Sequence, residues 1–388
     1  MNKIDKEKKK RLLFVIPSFA IGGITSSLHS LLSALDYSKV EIDIFCRQKT
    51  GPLKDAFPKA KILPENIWLS AGIEEGSCMK KICFGFFKGV RILLRYLRID
   101  MNILYGKIGG HQLNTLQYDV VLSFHEGLSP IVCYYPAKKH IAWIHSDYNR
   151  HRAMVGKDEL KQYQLFNKIV CVSEFARSVF TKIYPSLDNK TIAIHNIIPV
   201  KEIRLKAKET ASLDERYKTD AFTIVSVGRL DPVKQFDRIP EIAAHIKRLT
   251  NVPFRWFIIG GSRGYGEVDS FMANTIENNG VKSEVILLGE KTNVYPYIGC
   301  ADLYVCTSES ESFPLAVNEA KALGVPIVSN AFPSVKESIT DGVDGRIVGL
   351  DSMASAIAKL MTHKVKLNEG SIDNETPLRH FYELMAIS

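Results

Sequence analysis

The chain has 388 residues, 46% of them hydrophobic and 24% charged, enough at roughly 100 to 200 residues per domain for two α/β-sized domains with their own cores. That composition excludes a disordered chain, a collagen-like fibre and a small disulfide scaffold. The net charge of +9 is uneven: residues 1–200 carry 29 basic and 17 acidic side chains, residues 201–388 carry 22 and 25, so the first half faces something anionic, be it nucleic acid, an anionic membrane surface or a phosphate-bearing substrate.

At the N-terminus Lys8, Lys9, Lys10 and Arg11 precede an apolar run over 12–16 that Pro17 ends. That run is too short for the core of a secretion signal and reads as a first strand behind a frayed basic tail. Further short apolar runs at 40–46, 119–124, 140–144, 169–172 and 191–194 alternate with helical-period segments, which predicts βαβ units and a mainly parallel sheet. The pattern restarts at 222–227 and continues at 254–259, 284–288, 302–306 and 326–329. Residues 199–220 are charged and poor in large apolar side chains, which places the domain boundary there: 1–199 and 200–388. Two such α/β domains facing each other across a cleft would bind ligand at the carboxyl ends of their strands. No stretch reaches the ~18 uninterrupted apolar residues of a membrane span. The seven cysteines are odd in number and form no CxxC, which reads as a reduced, cytoplasmic chain without a zinc site.

One segment departs from this rhythm. Residues 80–98 hold no acidic side chain, and on a helical wheel Phe86, Phe87, Val90, Leu93, Leu94 and Leu97 share one arc beside Lys88, Arg91, Arg95 and Arg98. Such a helix can lie in an anionic membrane interface. It can equally pack on the first sheet with a solvated basic face.

Gly22 and Gly23 follow the first strand and open a helical run, so their amides can approach an anion at a helix N-terminus. Many βα turns use glycine for tight geometry alone, and the full GxGxxG dinucleotide fingerprint is missing. The second domain opens with Gly228-Arg229-Leu230 and Lys234 directly after a strand. A guanidinium and an ammonium five positions apart can converge on a diphosphate, or remain a solvated pair. After the apolar run 303–306 comes Glu311-Ser312-Phe313-Pro314-Leu315, with Glu319 eight positions beyond Glu311. Pro314 suits a helix start, which leaves the amides near Phe313 and Leu315 as donors for an anion or a sugar hydroxyl. The two carboxylates could hold two hydroxyl-bearing rings of one extended ligand.

The pairing of Gly228-Arg229-Leu230 and Lys234 with the Glu311/Glu319 E-x7-E motif resembles the retaining, nucleotide-sugar-dependent glycosyltransferases of family four, which have the GT-B fold. Supporting the resemblance are Gly22-Gly23, His125-Glu126, Trp143-Ile144-His145, Val172-Ser173-Glu174-Phe175, His195-Asn196 and Gly260-Gly261. The resemblance implies that Arg229 and Lys234 bind the donor diphosphate and offset leaving-group charge. It further implies that Glu311 contacts the donor sugar, Glu319 the ribose, and the amides of Ser312, Phe313, Pro314's neighbours and Leu315 the sugar and phosphate, with Gly22 and Gly23 closing on the phosphate and His145 beside the sugar. Without the family, His145 reads as a core histidine at a strand end. A final segment around 381–385 resembles a helix that crosses back to the first domain. No D-x-D triplet occurs, so a metal-bridged diphosphate is not expected, and the cations would take the metal's place. No cofactor is expected beyond the donor itself.

The expected activity is transfer of a hexose or N-acetylhexosamine from a nucleotide diphosphate, UDP by family frequency, to a lipid-linked or growing cell-surface glycan of the capsule, exopolysaccharide or lipopolysaccharide type. The expected place is the inner face of the membrane, through residues 80–98. The alternatives are a sugar-nucleotide epimerase on the same fold and a non-enzymatic basic-surface binder. No nucleic-acid motif accompanies the basic half.

Overall fold

The computed structural model describes residues 9–66, 96, 100–262, 266–363 and 371–387. The chain forms two compact units, Met1–Ile197 with Glu375–Ser388, and Ile198–Asn374. The division thus falls at 197/198 rather than 199/200, and the final helix, placed by the sequence reading in the second domain with a possible return, belongs to the first unit. Residues 80–98, the candidate membrane segment, lie outside the described residues apart from Tyr96.

The first unit is a seven-stranded, wholly parallel sheet. Its strands are β1 (Lys10–Ile16), β2 (Val40–Cys46), β3 (Lys61–Ile62), β4 (Tyr118–Ser123), β5 (Ala137–Ile144), β6 (Lys168–Cys171) and β7 (Thr191–Ala193), in the order β3-β2-β1-β4-β5-β6-β7. Leu12, Leu13, Phe14 and Ile16 are fully buried. A run with no alternation is what a parallel strand covered on both faces requires, and each such side chain contributes about 1.5–3 kcal/mol of burial. The helix Glu375–Met385 covers part of this sheet: Phe381 is fully buried with its ring 6.5 Å from Phe14 and 6.3 Å from Trp143, and the Asp36 amide donates to the Tyr382 hydroxyl at 2.8 Å.

The second unit holds β8 (Phe222–Val227), β9 (Phe254–Ile259), β10 (Val285–Gly289), β11 (Leu303–Cys306), β12 (Ile327–Asn330) and β13 (Arg346–Val348), again all parallel, in the order β10-β9-β8-β11-β12-β13. The expected strands recur within two or three residues at each end, whereas β3 and β13, of two and three residues, are additions. Residues 199–220 are not a free linker. They include the helix Val200–Lys206, whose Ile203 is fully buried, and Tyr217, whose hydroxyl donates to the Tyr297 carbonyl.

Both strand orders contain a reversal. The first sheet grows from β1 toward β3 and then from β4 in the opposite direction; the second grows from β8 toward β10 and then from β11. At such a switch point the two neighbouring strands send their following loops apart and leave a crevice at their carboxyl ends, the place where open α/β sheets bind ligands.

Candidate active site

In the second unit the loops flanking the crevice are those after β8 and β11, and they carry the motif residues. One backbone bond and one side-chain bond tie the loops together: the Glu309 amide donates to the Val233 carbonyl at 2.8 Å, and the Thr307 hydroxyl to the Lys234 carbonyl at 2.6 Å. The glycines set how closely the strand ends approach. Gly260 sits at φ +151°, and a Cβ there would lie 1.8 Å from the Gly228 carbonyl oxygen, so no other residue fits. A Cβ on Gly228 would lie 3.2 Å from Lys234 Cε, so glycine leaves the lysine stem room to cross the loop.

Lys234 Nζ meets Glu311 Oε1 at 2.5 Å, and the Ser308 hydroxyl donates to the same oxygen at 2.7 Å. The pair is 23% and 17% exposed, dry enough for the charges to act on each other and open enough to re-partner. Burial alone would lower the Lys234 ammonium, but the Glu311 carboxylate outweighs it and the net shift is upward. Lys234 is therefore a fixed cation. Ser334 donates to the Glu311 carbonyl at 2.5 Å and Asn330 Nδ2 to the Ser308 carbonyl at 2.9 Å, so the glutamate is held from both its backbone and its side chain.

The helix Leu315–Ala322 begins after Pro314. Its first intrahelical bond runs from the Asn318 amide to the Pro314 carbonyl at 3.2 Å, which leaves the amides before it as donors outside the helix ladder. Phe313 and Leu315 pack their side chains against Ile198, Ile203 and Ala322, so what these residues offer a ligand is backbone. Glu319 lies within the helix and accepts from the Tyr295 hydroxyl at 3.3 Å. Burial pushes its carboxyl up to about 7, against the opposing pull of that hydroxyl and of Lys234. Arg229 is the outlier of the group: its side chain is 68% exposed, and its nearest carboxylate is Asp231 at 3.8 Å.

The corresponding crevice of the first unit is built differently. Gly22 is extended and caps the helix Gly23–Ala34, with the Ser26 amide bonded to the Gly22 carbonyl at 3.0 Å. Both glycines are exposed. The loop after β4 carries Glu126, only 4% exposed, which accepts the His145 amide at 3.2 Å and the Ser146 hydroxyl. Burial would raise its carboxyl, but His125, His145 and the Ser146 hydroxyl hold it below the usual carboxylate range. The imidazole of His145 packs on Phe124, ring centroids 4.6 Å apart, with Nε2 sealed from solvent and unpartnered. Burial pushes His145 down to about 4, against the opposing effect of Glu126, so the ring is neutral and presents one unsatisfied nitrogen.

The structure thus joins Lys234, Glu311, Gly228 and the segment 312–315 around one crevice, with Glu319 on the helix behind it and Arg229 at its rim. His145, Gly22 and Gly23 sit at the first unit's own crevice. Sequence reasoning did not single out Thr307, Ser308, Ser334, Asn330 or Tyr295. A run of hydroxyl residues directly after a buried strand was the available signal.

Residues 208–374 match the family of glycosyl transferases group 1. The second unit carries a glycosyl transferases group 1 domain. Within the described residues this span contains β8 to β13 and every motif residue of the second crevice. The D-inositol 3-phosphate glycosyltransferase of Kribbella flavida is 34% identical over 158 residues, which is 37% of this chain and 36% of that protein, so the matched stretch spans about a third of the relative's length. D-inositol 3-phosphate glycosyltransferase 2 of Catenulispora acidiphila is 23% identical over 359 residues, covering 88% of this chain and 82% of that one. Among solved structures, Anabaena HepE in complex with UDP and glucose superposes with a TM-score of 0.67 at 14% identity, covering 97% of this chain and 99% of that one. A Staphylococcus aureus TarM variant in complex with Fondaparinux, alpha-GlcNAc-glycerol and UDP gives 0.69 at 13% identity, with the same coverage. The fold, two Rossmann-like parallel-sheet units, is that of GT-B glycosyltransferase structures.

Proposed function

We propose that the protein is a retaining glycosyltransferase that moves a hexose or N-acetylhexosamine from a nucleotide diphosphate sugar, UDP being the nucleotide, to a lipid-linked or growing cell-surface glycan. The observation that carries this reading is the Lys234–Glu311 pair at the carboxyl end of the second sheet, flanked by helix amides and Glu319.

In this reading Lys234, helped by Arg229 from the rim, offsets the charge that grows on the departing diphosphate, which is worth most in a partly dry site. Glu311 takes hydroxyls of the sugar and Glu319 those of the ribose, while the amides of Ser312, Phe313 and Leu315 hold oxygen atoms between them. On the first unit the resemblance places His145 beside a sugar hydroxyl, for which its enclosed Nε2 must first be uncovered, and the Gly22 and Gly23 amides suit a phosphate. As the resemblance implies, the departing phosphate is the base that takes the acceptor proton on the same face, with no carboxylate assigned as nucleophile. That is consistent with retention without a covalent glycosyl-enzyme. Support for UDP comes from the UDP complexes of HepE and TarM. Residues 80–98 are the proposed contact with the anionic membrane surface at which the acceptor is anchored, and the place of action is the cytoplasmic face.

The test is a transfer assay with a panel of nucleotide sugars in the presence of EDTA, with the anomeric configuration of the product read by NMR. The expected result is one preferred UDP-sugar, a product of the donor's configuration, and activity largely unaffected by chelation. Absence of transfer with C4 or C2 inversion of the free donor would make the protein an epimerase instead.

A further inference from the structure

The charge pair in the second crevice has an asymmetry that bears on how the nucleotide leaves. Glu311 uses one oxygen twice: Oε1 receives the Lys234 ammonium at 2.5 Å and the Ser308 hydroxyl at 2.7 Å. Among the described residues Oε2 makes no hydrogen bond or ion pair, which leaves it for a ligand hydroxyl. The backbones on both sides are pinned, Lys234 by the Thr307 hydroxyl at 2.6 Å and Glu311 by the Ser334 hydroxyl at 2.5 Å. The side chains alone are left to exchange partners.

An ammonium carries three donors but one charge. When a diphosphate reaches Lys234, it meets that charge already matched by a carboxylate, and its own negative charge is set close to Glu311. While a sugar is attached, a hydroxyl on Oε2 compensates for this proximity. Once the sugar has been transferred that compensation is gone, whereas the repulsion and the competition for Lys234 remain. We infer that Glu311 competes with the nucleotide diphosphate for the Lys234 ammonium and so drives release of the spent nucleotide after transfer. The inference rests on the proposed function and adds a second role to the sugar-binding carboxylate: the same group that holds the sugar of the donor weakens the hold on the product.

The test is calorimetric titration of the full chain with UDP and with UDP-glucose, on the wild type, Glu311→Gln and Glu311→Asp. Glutamine keeps the acceptor oxygen for Ser308 and removes the charge, so UDP should bind about tenfold more tightly, a difference of about 1.4 kcal/mol. UDP-glucose should gain nothing, so the ratio of the two affinities should shift about tenfold toward UDP. Aspartate keeps the charge but falls a methylene short of Lys234, and a smaller tightening of UDP is expected. In turnover, Glu311→Gln should show a burst followed by slow steady state, because release has become limiting. Unchanged or weaker UDP binding in Glu311→Gln, with UDP binding intact in the wild type, would overturn the inference and leave the proposed function standing. A wild-type chain that binds no nucleotide diphosphate would overturn both.

Discussion

The two units place their crevices by the same topology but furnish them by opposite means. In the second unit the carboxyl edge holds a partly exposed ion pair, Lys234 with Glu311, on loops cross-linked by hydroxyls. In the first, the carboxylate Glu126 is buried, has no lysine or arginine partner among the described residues, and accepts a backbone amide and a hydroxyl beside His125 and His145. An exposed pair can trade partners with a ligand, whereas a buried carboxylate held by an amide and a hydroxyl can only shape what is next to it. The second crevice is therefore equipped to bind and release charge, and the first to hold His145 in a fixed pose.

The sharpest way to break this contrast is to remove the cation. Lys234→Ala should lower kcat/KM for sugar transfer by ~100-fold or more while the fold survives, and near-normal turnover would remove the electrostatic role from the second crevice. The counterpart in the first unit should act on stability before it acts on chemistry. Glu126→Ala leaves the His145 amide and the Ser146 hydroxyl without their partner, a loss of about 1–3 kcal/mol, read as a lower unfolding midpoint; an unchanged midpoint would show that water replaces the carboxylate freely.

A smaller effect separates the units by pH. The Glu319 carboxyl is raised to about 7 from an ordinary value of 4.5, so the folded chain binds a proton there that the unfolded chain has released. That contribution to stability is complete below about pH 4.5 and is lost as the pH rises through about 7. Glu319→Gln should flatten the corresponding slope of the unfolding midpoint, and the same slope in both proteins would place the titration elsewhere. Least of all should the second crevice respond to the first unit's basic segment. Reversing Arg91, Arg95 and Arg98 to Glu should release the protein from anionic vesicles, at ~1 kcal/mol per cation, with activity on a short water-soluble acceptor retained. Unchanged co-sedimentation of that variant would remove the membrane role of residues 80–98.

The comparison also explains what could be read from the sequence. Strands buried on both faces announce themselves as largely apolar, β-branched and aromatic runs, so 222–227 and 254–259 coincide with β8 and β9, while β3 and β13 are too short to carry any pattern. Charged motif residues of the second crevice stand out because few other reasons place a lysine and two glutamates around a strand end. Ser334 gains its role only when the chain folds back onto Glu311, 23 positions away, and nothing in its type distinguishes it beforehand. His145 is the instructive middle case: its position at a strand end fits a core residue, and only the sealed, unpartnered Nε2 separates it from one. The final helix followed the same logic, since Phe381 finds its partners, Phe14 and Trp143, more than 230 positions away in the chain.

The most direct test of the central claim, that the second crevice binds a nucleotide diphosphate through Lys234, is thermal unfolding with UDP in EDTA, run on the wild type and on Lys234→Ala. At 100 times its dissociation constant UDP should stabilise the wild type by ~2.7 kcal/mol, and at the same concentration it should stabilise the variant far less. Equal protection of both proteins, or protection of neither, would contradict it.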